Sequence, residues 1–84
     1  MYYSYVLHSK KDNGFYVGFT KHLKPRFEQH TKGLVESTKD RTPVKLIYYE
    51  ACLDQSDATR REKYLKTYNG RRFLARRLKS YLIG

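Results

Sequence analysis

The stretch Tyr2–Ser9 alternates strictly. Tyr3, Tyr5 and Leu7 fall on one side of an extended chain, and Tyr2, Ser4, Val6 and His8 fall on the other. A helix would scatter these side chains around its axis, whereas a strand sorts them into two faces that aromatic and β-branched residues suit. Lys10-Lys11-Asp12-Asn13-Gly14 follows, and Asn-Gly is a strong short-range signal for a tight turn because both residues accept positive φ. Phe15–Thr20 then resumes an apolar run. The chain is therefore expected to open as a β-hairpin.

Beyond the hairpin the period changes. Leu23, Phe27 and His30, with Leu34 continuing the row, recur at helical spacing and predict a short helix over 23–32. Pro25 suits its first turn, where a missing N–H costs nothing, and Gly33 is a plausible stop. Residues 35–43 are polar and aperiodic and read as a loop. Val44, Leu46 and Tyr48 alternate with Lys45, Ile47 and Tyr49, which predicts a third strand over 44–51. Asp54 or Ser56 can cap a helix running to about Tyr68. Asn69-Gly70 is expected to interrupt it, and Phe73, Leu74, Leu78, Tyr81 and Leu82 form the stripe of a last helix over 71–83. The expected order is β-β-α-β-α-α, an α+β architecture with a three-stranded, largely antiparallel sheet flanked by helices. The 84 residues fit a single domain spanning 1–84, and a domain of this size buries only about 60% of its unfolded surface.

Charge narrows the choice of partner. Lys and Arg number 18 against 8 Asp and Glu, a net charge of +10. That excess points to a polyanion, nucleic acid first and an anionic membrane surface second, with solubility alone as the bland alternative. No segment approaches the roughly 20 apolar residues of a membrane span, and no charged region precedes an apolar run at the N-terminus. Cys52 is the only cysteine, so neither an intramolecular disulfide nor a Cys-based zinc cluster can form, and it is expected to be a small buried hydrophobe. A soluble, cytoplasmic setting is the resulting expectation.

Several polar residues stand where the periodicity asks for apolar ones. Ala58, Glu62 and Leu65 share one helical stripe, and a carboxylate on such a stripe is costly unless a cation or donors satisfy it. Either Arg60, Arg61 or Lys66 pairs with Glu62, or a metal does. Arg26 lies at the edge of the inward face of the first helix. Its fork matches phosphate geometry, though a solvated helix charge explains it equally from spacing. Tyr5 and Tyr16 lie mid-strand, so their hydroxyls can converge above the sheet. A tyrosine titrates near 10 and serves as a base near neutral pH only where cations lower that value; otherwise it packs as an amphipathic ring. His8, His22 and His30 show no zinc spacing, and His30 is expected to pack or hydrogen-bond at the helix end.

Taken together, Tyr3-Ser4-Tyr5, Phe15-Tyr16-Val17-Gly18, Leu23-Lys24-Pro25-Arg26-Phe27-Glu28-Gln29-His30 and Glu62 resemble the GIY-YIG nuclease domain. The stretches from Pro43 to Glu50 and from Ala58 to Lys66 are similar to its small bacterial stand-alone branch. The resemblance covers essentially the whole chain. It implies a metal-dependent endonuclease acting on nucleic acid, DNA ahead of RNA, by in-line attack of water on phosphorus. In that scheme Tyr16 takes the proton of the water, Tyr5 hydrogen-bonds the water or the phosphate, Arg26 stabilises phosphoryl charge, and Glu62 holds one Mg²⁺ or Mn²⁺. His30 is an auxiliary polar residue at the rim. Lys21, His22, Lys24, Arg71, Arg72 and Arg76 are the expected nucleic-acid-binding cations. Two positions depart from the family pattern: Gly-Ile of the first motif half is Tyr3-Ser4, and Phe19 stands where some members carry Lys.

Two other functions fit the same sequence. A nucleic-acid-binding module without turnover would use the basic run Arg71-Arg72 and Arg76-Arg77-Lys79. A membrane-surface protein would need the face of Leu74, Leu78 and Leu82, which so small a domain requires for its own core.

Overall fold

In the computed structural model, which describes residues 1–84, strands β1 (Tyr2–Ser9), β2 (Phe15–Thr20) and β3 (Val44–Cys52) form one sheet. Their spatial order is β2-β1-β3 and both pairings are antiparallel. The hairpin closes as its sequence demands. Asn13 takes φ 61°, Gly14 N–H donates to Asp12 Oδ1, and Ser9 N–H donates to the Gly14 carbonyl. Strand β1 pairs Val6 with Tyr48 but Leu7 with Leu46. Ile47 is the extra residue of that bulge, and it packs against the core.

Helix α1 (Leu23–Thr31) covers the face that carries Tyr5 and Leu7, and Gly33, at φ 72°, ends it. Helices α2 (Gln55–Leu65) and α3 (Tyr68–Arg77) cover the opposite face, followed by the short α4 (Lys79–Ile83). Val6, Val17, Leu65 and Leu74 form the buried centre of this second layer, with Phe15, Ile47, Tyr48, Phe73 and Leu78 around it. Ser4 Oγ donates to the Ala58 carbonyl at 2.7 Å and seats α2 on β1. At the far end of β1, His8 Nε2–H donates to Asn13 Oδ1 at 2.6 Å, and Nδ1 lies 2.8 Å from the Tyr81 hydroxyl, tying α4 to the hairpin. The expected α+β order is therefore observed.

Four local expectations are corrected. Asn69-Gly70 does not break a helix. The break falls earlier, at Lys66-Thr67, where Thr67 caps α3 by accepting from Gly70 N–H at 3.1 Å. Gly70 is buried in the first turn of α3, and a Cβ there would lie 2.0 Å from the Tyr64 carbonyl oxygen and 2.6 Å from Leu65 Cα. The glycine is thus present for close helix approach. The stripe over 71–83 is divided at Leu78, leaving Leu82 exposed. The 35–43 stretch is not plain loop either: it contains a 3₁₀ turn, Lys39–Arg41, and buries Val35 and Thr38. Cys52 is free and half-buried rather than buried.

Candidate active site on the hairpin face

Tyr5, Leu7, Tyr16 and Gly18 share the face of the hairpin that looks toward α1, because Tyr5 pairs with Gly18 and Leu7 with Tyr16. The Tyr5 ring lies across Gly18. A Cβ on Gly18 would stand 2.5 Å from both Cζ and the hydroxyl oxygen of Tyr5. The absence of a side chain there is what lets the phenol cross β2, and a glycine inside a strand is the sequence signal for such an approach. The Tyr5 and Tyr16 ring centroids are 6.3 Å apart.

His30 fills the space between α1 and the two phenols, with ring centroids 5.7 Å from Tyr5 and 5.2 Å from Tyr16. It is fully buried, not at a rim as the resemblance implies. Its Nε2 lies 2.9 Å from the Tyr5 hydroxyl and its Nδ1 2.7 Å from Thr38 Oγ1. Burial, reinforced by Arg26, lowers the His30 pKa to about 4, so the imidazole is neutral near pH 7. The arrangement consistent with a guanidinium beside the phenol has Tyr5 O–H donating to Nε2 and Nδ1–H donating to Thr38. Thr38 is invisible to sequence reasoning, because nothing in an aperiodic polar stretch distinguishes one buried hydroxyl from its exposed neighbours.

The Tyr5 hydroxyl also reports which charges surround it. Burial pushes its pKa up to about 12; Arg26 opposes the rise, while Tyr16 and Glu62 add to it. Tyr16 of β2, Arg26 of α1 and Glu62 of α2 thus all lie within electrostatic reach of Tyr5 on β1, and His30 is hydrogen-bonded to it. Tyr5 is buried, and Tyr16, Arg26 and Glu62 are half-exposed. Arg26 Nη1 donates to Gln29 Oε1 at 3.0 Å. Lys66 Nζ donates to Glu62 Oε2 at 3.2 Å, the same-helix pair anticipated as one explanation of this carboxylate. The Glu62 side chain nevertheless keeps 21% of its surface open.

Helix α2 is also tied to β3 at the position beside Glu62. Arg61 Nε donates to Glu50 Oε1 at 2.7 Å, and Tyr48 O–H donates to Glu50 Oε2 at 2.8 Å. The Arg61 guanidinium lies 4.7 Å from the Phe73 ring centroid and 4.8 Å from that of Tyr64. Glu62 is the next residue along α2, and its charge is felt at the Tyr5 hydroxyl.

The donor set decides what metal the site fits. No group of three or more His, Cys, Asp or Glu side chains is placed to hold an ion. Mg²⁺ keeps several waters and is usually bound through one or two carboxylates together with substrate phosphates. Glu62, a single half-open carboxylate, fits an ion held jointly with a phosphate and does not fit an all-protein cage.

The expected nucleic-acid contacts divide into two groups. Lys21, His22 and Lys24 are exposed on the approach to α1, and His22 borders the same surface cavity as Arg26, Gln29, Pro25 and Thr20. Arg71, Arg72 and Arg76 are exposed on α3, in the layer on the other face of the sheet. Phe19, in place of a lysine, stacks on Tyr2 at 6.1 Å between centroids. No helix is long and apolar enough to cross a membrane.

Comparison with known proteins gives the family of the chain. The family model for the GIY-YIG catalytic domain matches residues 1–79. A UPF0213 protein of Staphylococcus haemolyticus is 38% identical over 69 residues, covering 81% of this chain and 83% of its own. One from Clostridium perfringens is 39% identical over 67 residues, with 79% and 71% covered. One from Limosilactobacillus reuteri is 43% identical over 68 residues, with 77% and 70% covered. No solved structure matches. From the extent of that match, the chain belongs to the GIY-YIG nuclease domain family.

Proposed function

We propose that this protein is a divalent-metal-dependent endonuclease that hydrolyses phosphodiester bonds of nucleic acid, DNA ahead of RNA, within one domain. The observation that carries the reading is the convergence of Tyr16, Arg26 and Glu62 around the buried Tyr5 hydroxyl. A phosphate seated at this face meets the Arg26 guanidinium, which is held at Gln29 and matches two phosphoryl oxygens at once. An Mg²⁺ or Mn²⁺ ion bound by Glu62 would neutralise developing charge on the same phosphate. A water attacks phosphorus in line and gives its proton to the Tyr16 oxygen as that hydroxyl passes its own proton to solvent; the new P–O bond forms as the bond to the 3′ oxygen breaks, and that oxygen leaves with a proton from solvent. Tyr5 keeps its proton, because its pKa is about 12, and donates it to His30 Nε2. Its oxygen is left to accept a hydrogen bond from the attacking water, while His30 fixes the ring.

The test is plasmid nicking with Mg²⁺ or Mn²⁺. Wild-type protein cuts, Glu62→Ala and chelated wild type do not, and circular dichroism is the same for both proteins. Tyr16→Phe loses about 10²–10⁴-fold in rate, the usual range for a positioned proton transfer. A folded wild-type protein that cuts neither DNA nor RNA with either metal removes the reading. In that event the exposed cations of α1 and α3 favour a binding module without turnover.

A further inference from the structure

A second cleft opens beside the proposed site, between the start of α1 and the sheet, and has a volume of about 450 Å³. Its walls are Tyr3, Leu23, Phe27 and Leu46, two aromatic rings and two aliphatic side chains. Lys21 and Lys24 stand at its mouth, and no Asp or Glu lines it. His22 and Pro25 border both this cleft and the cavity that holds Arg26, so the two are continuous along the protein surface.

That combination is specific in its chemistry. Flat apolar walls take a planar aromatic body, and an all-cationic mouth takes its anionic attachment. Within a chain of charge +10, the ligand that carries both at fixed separation is a nucleotide of a nucleic-acid strand. We infer that this cleft is a base subsite: an unpaired nucleobase, adjacent to the phosphate at Arg26, inserts between Tyr3 and Phe27 while Lys21 and Lys24 hold its flanking phosphates. The inference rests on the nuclease reading for the position of the strand and extends it to the form of the substrate, since a base held in a duplex cannot enter the cleft.

The experiment separates the two ideas by measuring binding without cutting. Fluorescence anisotropy with a chelator present compares an oligothymidylate with an abasic sugar–phosphate strand of equal length and charge. The base-bearing strand binds about ten-fold more tightly or better, the scale of stacking by one or a few bases. In Tyr3→Leu and in Phe27→Leu that ratio falls below about two-fold while the abasic strand binds as before. Tyr68→Leu, which removes an exposed ring on α3, leaves the ratio intact. Equal binding of the two strands by wild type, or a ratio lost only in Tyr68→Leu, overturns the base subsite. The strand comparison needs no variant, so a misfolded substitution does not rescue the idea. A protein that shows the strand difference but cuts neither single- nor double-stranded DNA or RNA with either metal keeps the subsite and loses the nuclease reading.

Discussion

Tyr5 and Tyr16 occupy one face of one hairpin, yet their surroundings assign them different work. Tyr5 is 1% exposed and hydrogen-bonded to His30, whereas Tyr16 is half-open to solvent. The imidazole between them leaves a thermodynamic signature. The folded His30 pKa is about 4 and the ordinary value is 6.5. As pH falls through 6.5 the unfolded chain takes a proton that the folded chain refuses, so this residue's contribution to stability is full above 6.5 and is lost progressively down to about 4. The loss is on the order of 3 kcal/mol across that window. Urea melts between pH 7 and 4 check it: the decline flattens in His30→Gln, and an equal decline in that variant contradicts the assignment. Asp12, held below its usual range by Gly14 N–H and Arg41, loses its contribution only at lower pH.

At the scale of elements, two glycines expected to stop helices behave differently. Gly33 sits at positive φ with open space around it, while Gly70 lies where any Cβ would overlap the end of α2. Gly70→Ala is therefore expected to destabilise by about 3 kcal/mol or more, because backbone must move, and Gly33→Ala by only about 1 kcal/mol. Thermal melts of the two variants decide it, and equal shifts sink the packing argument. The contrast shows what the sequence could carry. Periodicity of two and of 3.6 reports which side of an element is covered, and so β1 to β3, α1 and the stripe of Leu65 and Leu74 were readable. Glu62 stands out as a carboxylate on an apolar stripe, whereas the proposed roles of Tyr5, Tyr16 and Arg26 come from the resemblance and not from spacing. Close approach between elements distant in sequence leaves no period. For that reason spacing alone makes Gly70 look like a breaker, leaves the Gly18–Tyr5 crossing unmarked, and gives no sign that His30 lies between two phenols and Thr38.

Across the whole molecule, charge and connectivity act together. With 18 Lys and Arg and few acids to offset them, binding to any nucleic acid releases counterions. If about six phosphates are contacted, log affinity falls with log salt at a slope near −5. A salt titration of DNA binding measures it, and a flat response contradicts a phosphate-tracking surface. The buried chain from Tyr5 through His30 to Thr38 binds three distant parts of the polypeptide into one alignment. The stretch between α1 and β3 is consequently no idle spacer. Its outward side chains, such as Glu36 and Ser37, are free to vary. Its length is not, because shifting Thr38 turns the imidazole, and the turned imidazole re-aims the phenol across the hairpin.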